Sequence, residues 1–141
     1  MSSAATTTAN HLPLVCVIED DASVRESVED LIREEGFHVD SFESAESFLG
    51  RTPPDPPACL ILDHVLPGMS GLELYDRIRA DPRFPALPVV FETGGGREHA
   101  QDLRDRGVAT YLKKPFDIHE LVKLVKRLVP PRNGDAARKP R

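Results

Sequence analysis

Five short apolar segments alternate along the chain with five segments of helical periodicity, and this alternation limits the possible folds more than any other feature. The first apolar segment is a continuous run of mostly β-branched residues, which is typical of a strand buried on both faces of a sheet. Strands are predicted at Leu14–Ile18, Phe37–Phe42, Cys59–Leu62, Pro88–Phe91 and Ala109–Leu112. The second strand has a more polar pattern than the others, so we expect it nearer an edge of the sheet.

The segments between and after these strands predict helices. In the first, Val24, Val28, Leu31 and Ile32 recur at helical spacing before Gly36, a residue that favours a helix end. The last follows Asp117, a predicted N-cap, with Glu120 placed close to the pattern of a capping box. The other helices are predicted at Ser44–Leu49, Ser70–Arg79 and Arg97–Arg106.

Five strand–helix units of this length predict an α/β fold with a doubly wound, five-stranded parallel sheet and helices on both faces. We expect one domain over residues 14–129. Residues 1–13 form a Ser/Ala/Thr-rich lead and residues 130–141 a basic tail, and both are predicted to be disordered.

Charge and hydropathy exclude several classes of protein. The formal net charge is −5, and residues 14–129 alone carry 14 basic and 22 acidic groups, a net charge of −8. This balance argues against direct binding to nucleic acid or to a membrane surface. No apolar run approaches the length of about 20 residues that spans a bilayer, and residues 1–13 have no pattern of a secretory signal. We therefore expect a cytoplasmic protein whose two cysteines, Cys16 and Cys59, are buried reduced thiols.

Chemically active residues follow the predicted strands. In open parallel sheets, ligands bind at the carboxyl ends of the strands, so these residues are expected at one edge. They are Glu19-Asp20-Asp21 after the first strand, Asp63 after the third, Glu92-Thr93-Gly94 after the fourth and Lys113-Lys114-Pro115 after the fifth.

Grouped carboxylates repel one another unless a cation neutralises them, and Mg²⁺ with oxygen ligands is a natural solution. A lysine at the same edge adds a second positive charge. A hydroxyl beside three glycines at a helix start can reach a phosphoryl oxygen. The sequence thus contains the groups that phosphoryl transfer to a carboxylate needs.

Four segments resemble those of bacterial two-component response-regulator receiver domains, particularly the single-domain, chemotaxis-regulator type. The segments are Val17–Asp21, Leu62–Gly71, Thr93-Gly94 and Lys114–Phe116, in the family's order and at its intervals. The resemblance covers about residues 14–129. It implies the flavodoxin-like (βα)5 receiver fold with strand order 2-1-3-4-5.

The resemblance also implies a role for each matching residue. Asp63 is the phosphoacceptor, and Glu19 and Asp20 hold Mg²⁺ together with Asp63 and the backbone carbonyl of Val65. Lys114 contacts the phosphoryl group and precedes a cis peptide bond to Pro115. The hydroxyl of Thr93 moves toward the phosphoryl oxygen, and the aromatic ring of Tyr111 moves inward behind it.

The partners implied are a histidine kinase or histidine phosphotransfer protein as the donor, and a downstream protein target. We expect the fourth helix, fifth strand and fifth helix to change on phosphorylation, because the fourth helix has little apolar anchorage and follows three glycines. This surface is also a candidate for dimerisation. Because 12 residues follow Val129, we expect a stand-alone regulator, not an enzyme beyond its own aspartyl phosphorylation and dephosphorylation. Output by docking and onward phosphotransfer both remain open.

Some residues depart from the family pattern. Glu92 stands where an apolar or small residue is usual, and it either points away from the site or repels the phosphoryl group. Val65 and Gly95, two residues beyond Asp63 and Thr93, offer no side chain that holds an attacking water. The five histidines are expected at the surface, although His64 could tune the site through its position beside Asp63.

Two alternatives from other classes remain. One is a scaffold with the receiver fold that is never phosphorylated. The other is a flavodoxin-like nucleotide or flavin binder, or a small hydrolase with an aspartate nucleophile, although the chain has no G-x-G-x-x-G motif and no Walker A loop.

Overall fold

The computed structural model of the protein describes residues 12–84, 86–94, 97–108 and 110–129. The strands are β1 (Leu14–Ile18), β2 (His38–Phe42), β3 (Ala58–Asp63), β4 (Val89–Thr93) and β5 (Tyr111–Lys113). The helices are α1 (Ala22–Glu34), α2 (Ala45–Leu49), α3 (Gly71–Ala80), α4 (Arg97–Asp105) and α5 (Ile118–Leu128).

The strands form one parallel sheet in the order β2-β1-β3-β4-β5. The predicted fold class and strand order are therefore confirmed, and β2 lies at an edge as its polar pattern indicated. Apart from Leu12 and Pro13, the predicted lead, residues 1–13, and the tail, residues 130–141, lie outside the described residues. Ala109, predicted to begin the fifth strand, also lies outside them.

Alternation along the strands divides the core into two clusters, one on each face of the sheet. On β1, Cys16 and Ile18 belong to the first cluster, whereas Val15 and Val17 belong to the second. The first cluster includes residues of α2, α3 and α4, and the second includes residues of α1 and α5. The domain is thus doubly wound, with three helices on one face and two on the other.

Polar caps fix where the helices begin. The Asp21 carboxylate accepts hydrogen bonds from the backbone of Ser23 and Val24 at the start of α1. Ser70 and Glu73 form a complete capping box at the start of α3. The box anticipated between Asp117 and Glu120 is not formed, because the Asp117 side chain accepts from the backbone of His119 instead.

The two cysteines are fully buried in neighbouring strands but on opposite faces of the sheet. Cys16 lies in the first cluster and Cys59 in the second. Burial raises the pKa of each thiol to about 12. The expectation of buried thiols is confirmed, and their placement on opposite faces prevents a bridge without movement of the backbone.

None of the helices among the described residues combines the length and the apolarity that crossing a bilayer requires.

Candidate functional site

The carboxyl ends of β1, β3, β4 and β5 meet at one edge of the sheet and bring the predicted site residues together. The strand register pairs Asp63 with Glu92 and Glu92 with Leu112. Glu19 follows the last residue of β1, and Lys114 follows the last residue of β5. Residues that lie far apart in the sequence therefore line one pocket, which we call the acid pocket and define by Glu19, Asp20, Asp63, Glu92 and Lys114.

Three carboxylates of the acid pocket converge. Glu19, Asp20 and Asp63 each offer an oxygen atom, and these atoms lie within 4.8 Å of one another. Glu19 and Asp63 are buried, whereas Asp20 is exposed to solvent. Backbone N–H groups hold the two buried side chains, since Asp21 donates to Glu19 Oε2 at 3.1 Å and Val65 donates to Asp63 Oδ1 at 3.2 Å.

This donor set fits Mg²⁺. The three groups are hard oxygen donors that lie close enough to share one ion, and the exposed Asp20 leaves one side open to water. Glu19 Oε1 is buried and accepts no hydrogen bond from the described residues. A cation at this place would neutralise the grouped carboxylates and give that oxygen a ligand.

Lys114 supplies the positive charge of the pocket. Its Nζ donates a hydrogen bond of 3.0 Å to Asp63 Oδ2 and lies 3.5 Å from Glu19 Oε1. Burial opposes the charge on Lys114, but the hydrogen bond and charge of Asp63 more than offset it, and the pKa of Lys114 is raised. The peptide bond to Pro115 is cis, as the resemblance implied, and the Lys114 N–H donates to the Thr93 carbonyl at 2.7 Å.

Glu92 belongs to the pocket and is almost fully buried, at 1 % exposure. Burial and the neighbouring Glu19 carboxylate raise the pKa of Glu92 to about 8, so it is largely protonated at neutral pH. Both Glu92 oxygens are buried without a hydrogen-bond partner among the described residues. The sequence left open whether Glu92 points away or repels; it points into the pocket, mainly as a neutral acid.

Thr93 is buried and its hydroxyl faces away from Asp63. The Oγ1 atom lies 3.1 Å from His64 Nδ1 and donates to the Gly94 carbonyl at 3.1 Å. His64 itself is 7 % exposed, so its predicted place at the surface is wrong. The alternation of side chains along β3 could have predicted that His64 is buried. His64 follows Leu62 by two residues, so it lies on the face of β3 that packs in the first cluster.

His64 also contacts a second histidine, a pairing that the sequence did not reveal. Its ring packs edge-on against the ring of His99 in α4, with centroids 4.9 Å apart. Burial, followed by the proximity of His99, lowers the pKa of His64. His99 Nδ1 donates to the Gly94 carbonyl at 2.9 Å.

Tyr111 lies near α4 and not at Asp63. It is half-buried, and its phenolic oxygen accepts a hydrogen bond of 2.9 Å from Arg104 of α4. Thr93 and Tyr111 thus both occupy positions away from the carboxylates.

One glycine lets the chain pass closely behind Asp63. A Cβ atom at Gly71 would lie 2.3 Å from the Asp63 carbonyl oxygen and 3.1 Å from the His64 Cα. The Gly71 N–H donates to the His64 carbonyl at 3.1 Å. Any larger residue at the start of α3 would displace the backbone that carries the central carboxylate.

A (βα)5 sheet with a carboxylate pocket and a lysine at its carboxyl edge defines the class of flavodoxin-like receiver folds. The response regulator receiver domain family matches residues 15–126. The chain belongs to this family, whose members accept phosphoryl groups in two-component signalling and interact with histidine kinases and downstream effectors.

Individual response regulators are also similar to this chain in sequence. The chain is 36 % identical over 122 residues to the phosphate regulon transcriptional regulatory protein PhoB of Rhizobium meliloti, covering 84 % of this chain and 52 % of PhoB. It is 32 % identical over 124 residues to the transcriptional regulatory protein FixJ of Bradyrhizobium diazoefficiens, covering 87 % of this chain and 58 % of FixJ. It therefore spans slightly more than half the length of these relatives.

A solved structure shares the fold along almost its whole length. The receiver domain of NtrX from Brucella abortus superposes with a TM-score of 0.71 at 30 % identity, covering 82 % of this chain and 97 % of that chain.

Proposed function

We propose that Asp63 is the residue that accepts the phosphoryl group, and that the acid pocket binds Mg²⁺ for this reaction. One observation carries the proposal: Asp63 is a buried carboxylate held by a backbone N–H on Oδ1 and by the Lys114 ammonium on Oδ2, with Glu19 and Asp20 close by. This arrangement orients one carboxylate and gathers charges that complement a phosphoryl group.

In the proposed step, an Asp63 oxygen attacks phosphorus and forms a carboxyl–phosphate bond. The bond between phosphorus and the donor nitrogen of a phosphohistidine breaks, and the nitrogen keeps the electron pair. A bound Mg²⁺ supplies positive charge next to the transferred phosphoryl oxygens. Glu19, Asp20, Asp63 and the Val65 carbonyl are the proposed ligands.

The protein groups have distinct tasks in this step. The Lys114 ammonium already donates a hydrogen bond to the Asp63 carboxylate, so it can donate instead to an oxygen of a phosphoryl group bound there. Glu92, neutral at pH 7, adds little negative charge to a pocket that must admit a dianion. We propose no catalysis beyond phosphorylation and dephosphorylation of Asp63 itself. Val65 is 60 % exposed and has no polar side chain for an attacking water; Gly95 lies outside the described residues.

For the output we propose a change in the surface formed by α4, β5 and α5. Helix α4 buries two residues, Ala100 and Leu103, and one of them is a small alanine, so its apolar contact with the core is slight. Tyr111 of β5 is tied to this helix by Arg104. A protein partner, or a second copy of the chain, would bind this surface in its phosphorylated form. The stand-alone architecture and the cytoplasmic location remain predictions.

The test is incubation with acetyl phosphate and Mg²⁺, followed by intact-mass spectrometry. We expect the mass of one phosphoryl group to be added to the wild type, and no addition to Asp63→Asn or to the wild type in excess chelator. Asp55→Asn, which changes an exposed aspartate, is the matched control and is expected to be phosphorylated. A wild type that gains no mass, or a gain unaffected by Asp63→Asn, would favour an unphosphorylated scaffold.

A further inference from the structure

His64 is the sequence neighbour of the phosphoacceptor and contacts the hydroxyl that is expected to respond to phosphorylation. It follows Asp63 directly in the sequence, and its Nδ1 lies 3.1 Å from Thr93 Oγ1. Both side chains are buried, at 7 % exposure for His64 and 2 % for Thr93. A buried hydrogen bond is shielded from competition by water, so this one stabilises the present orientation of the Thr93 hydroxyl.

The number of available hydrogen atoms fixes which group donates in each hydrogen bond around Thr93 Oγ1. The Thr93 hydroxyl carries one hydrogen and donates it to the Gly94 carbonyl. Both contacts of Oγ1 are hydrogen bonds only if His64 Nδ1 carries a hydrogen and donates it. His64 then donates to Thr93, Thr93 donates to Gly94, and the Gly94 carbonyl also accepts from His99 Nδ1.

This chain of hydrogen bonds connects the site to α4. His99 lies on α4, and its ring also packs edge-on against the ring of His64. The two histidines therefore contact each other and, on either side, the same Thr93-Gly94 segment. Moving the Thr93 hydroxyl changes a contact of His64 and a carbonyl that His99 shares.

We propose that His64 is a positioning residue that holds the Thr93 hydroxyl away from Asp63 until a phosphoryl group draws it in. The single hydroxyl hydrogen cannot serve both the Gly94 carbonyl and a phosphoryl oxygen, so activation breaks the bond to Gly94. The rotation also removes the acceptor of His64. The free energy of these lost bonds opposes activation and sets the threshold of the switch. The inference rests on the proposed phosphorylation of Asp63.

The test measures how tightly beryllofluoride binds with Mg²⁺, since this complex imitates a phosphoryl group on an aspartate. Four proteins form a double-mutant cycle: wild type, His64→Met, Thr93→Val and the double variant. Methionine fills the space of the ring without a donor. Valine retains the shape of threonine without the hydroxyl.

We expect His64→Met to bind beryllofluoride about two- to tenfold more tightly than the wild type, the range that one hydrogen bond provides. In the Thr93→Val background the same substitution is expected to leave the affinity unchanged. A purely structural effect of His64 would appear in both backgrounds, so an equal change in the two would overturn the proposal, as would weaker binding by His64→Met.

Further variants keep the test decisive. His64→Asn places an amide near the position of Nδ1 and is expected to restore an affinity close to wild type; if it instead matches His64→Met, the hydrogen bond is not the cause. His64→Leu, which also lacks a donor, takes the place of His64→Met in the cycle should His64→Met fail to fold. His38→Leu, at an exposed position of β2, is the control and is expected to have no effect. If the wild type itself binds no beryllofluoride, the proposed function fails. If the wild type binds it and His64→Met binds it equally tightly, this inference alone fails.

Discussion

The Nζ atom of Lys114 lies 3.0 Å from Oδ2 of Asp63, across 51 residues of sequence. The same nitrogen is 3.5 Å from Oε1 of Glu19. One ammonium group thus balances two buried carboxylates, and it does so from the end of a strand at the opposite edge of the sheet from β2. Charge in the pocket is therefore linked to the stability of the fold.

Lys114→Gln is expected to destabilise the metal-free protein, because it leaves Asp63 and Glu19 buried without their cation. Lys114 is 33 % exposed, which moderates the cost to about 1–2 kcal/mol. Mg²⁺ should restore more stability to this variant than to the wild type. Urea unfolding with and without Mg²⁺ measures both effects. Lys113→Gln, at the exposed neighbouring position, is the control; equal losses in the two variants would show that the ion pair contributes nothing.

Asp20→Ala is expected to weaken Mg²⁺ binding by about tenfold or more and to lower phosphorylation with it. Asp20 is the exposed member of the three converging carboxylates, so the fold should remain intact and gain slightly from reduced repulsion. Isothermal titration calorimetry gives the Mg²⁺ affinity, and Glu26→Ala, on the exposed side of α1, serves as a reference. Unchanged Mg²⁺ affinity in Asp20→Ala would contradict the proposed metal site.

Arg104→Met is expected to release the ring of Tyr111 while leaving the stability of the domain almost unchanged. Arg104 donates to the Tyr111 phenol at the exposed edge of α4, and exposed contacts of this kind contribute little free energy. Aromatic ¹³C NMR should show changed shifts and exchange broadening for Tyr111. Tyr75, which accepts from Arg79 on α3, is the internal reference. A Tyr111 spectrum identical to that of the wild type would mean that Arg104 does not hold the ring.

The apolar strands could be predicted closely because each has its own local signal. Residues buried on both faces set the bounds of β1 exactly, as predicted. The fourth strand was predicted to end at Phe91 but continues through Glu92 and Thr93, since a charged side chain indicates a loop unless it can be buried as a neutral acid. That condition depends on burial in the folded domain and on Glu19, the residue that follows β1.

The site residues followed from their positions at strand ends and from the family resemblance. The pairing of His64 with His99 did not, because it joins residues 35 positions apart and depends on how α4 packs against the sheet. Local periodicity predicts the face of a strand or helix on which a residue lies. It does not predict which side chain of another element packs against that residue.

Glu92→Gln is expected to stabilise the metal-free protein, and the gain should grow with pH. The pKa of Glu92 is raised from 4.5 to about 8 by burial and by Glu19, with Lys114 acting in the opposite direction. Below pH 4.5 the carboxyl is protonated in both the folded and the unfolded chain, so the titration costs nothing. Between pH 4.5 and 8 the unfolded chain loses the proton while the folded chain keeps it, and the stability of the wild type falls.

Glutamine does not ionise, so the unfolding free energy of the variant does not fall with pH for this reason. The difference in unfolding free energy between variant and wild type should rise by about 3 kcal/mol from pH 5 to pH 8 and level off above pH 8. Urea unfolding followed by circular dichroism in Mg²⁺-free buffer measures it at each pH. Glu34→Gln, an exposed change on α1, should show no such rise. A constant difference across this range would mean that Glu92 ionises like an ordinary carboxyl, and that the pocket carries its negative charge at neutral pH.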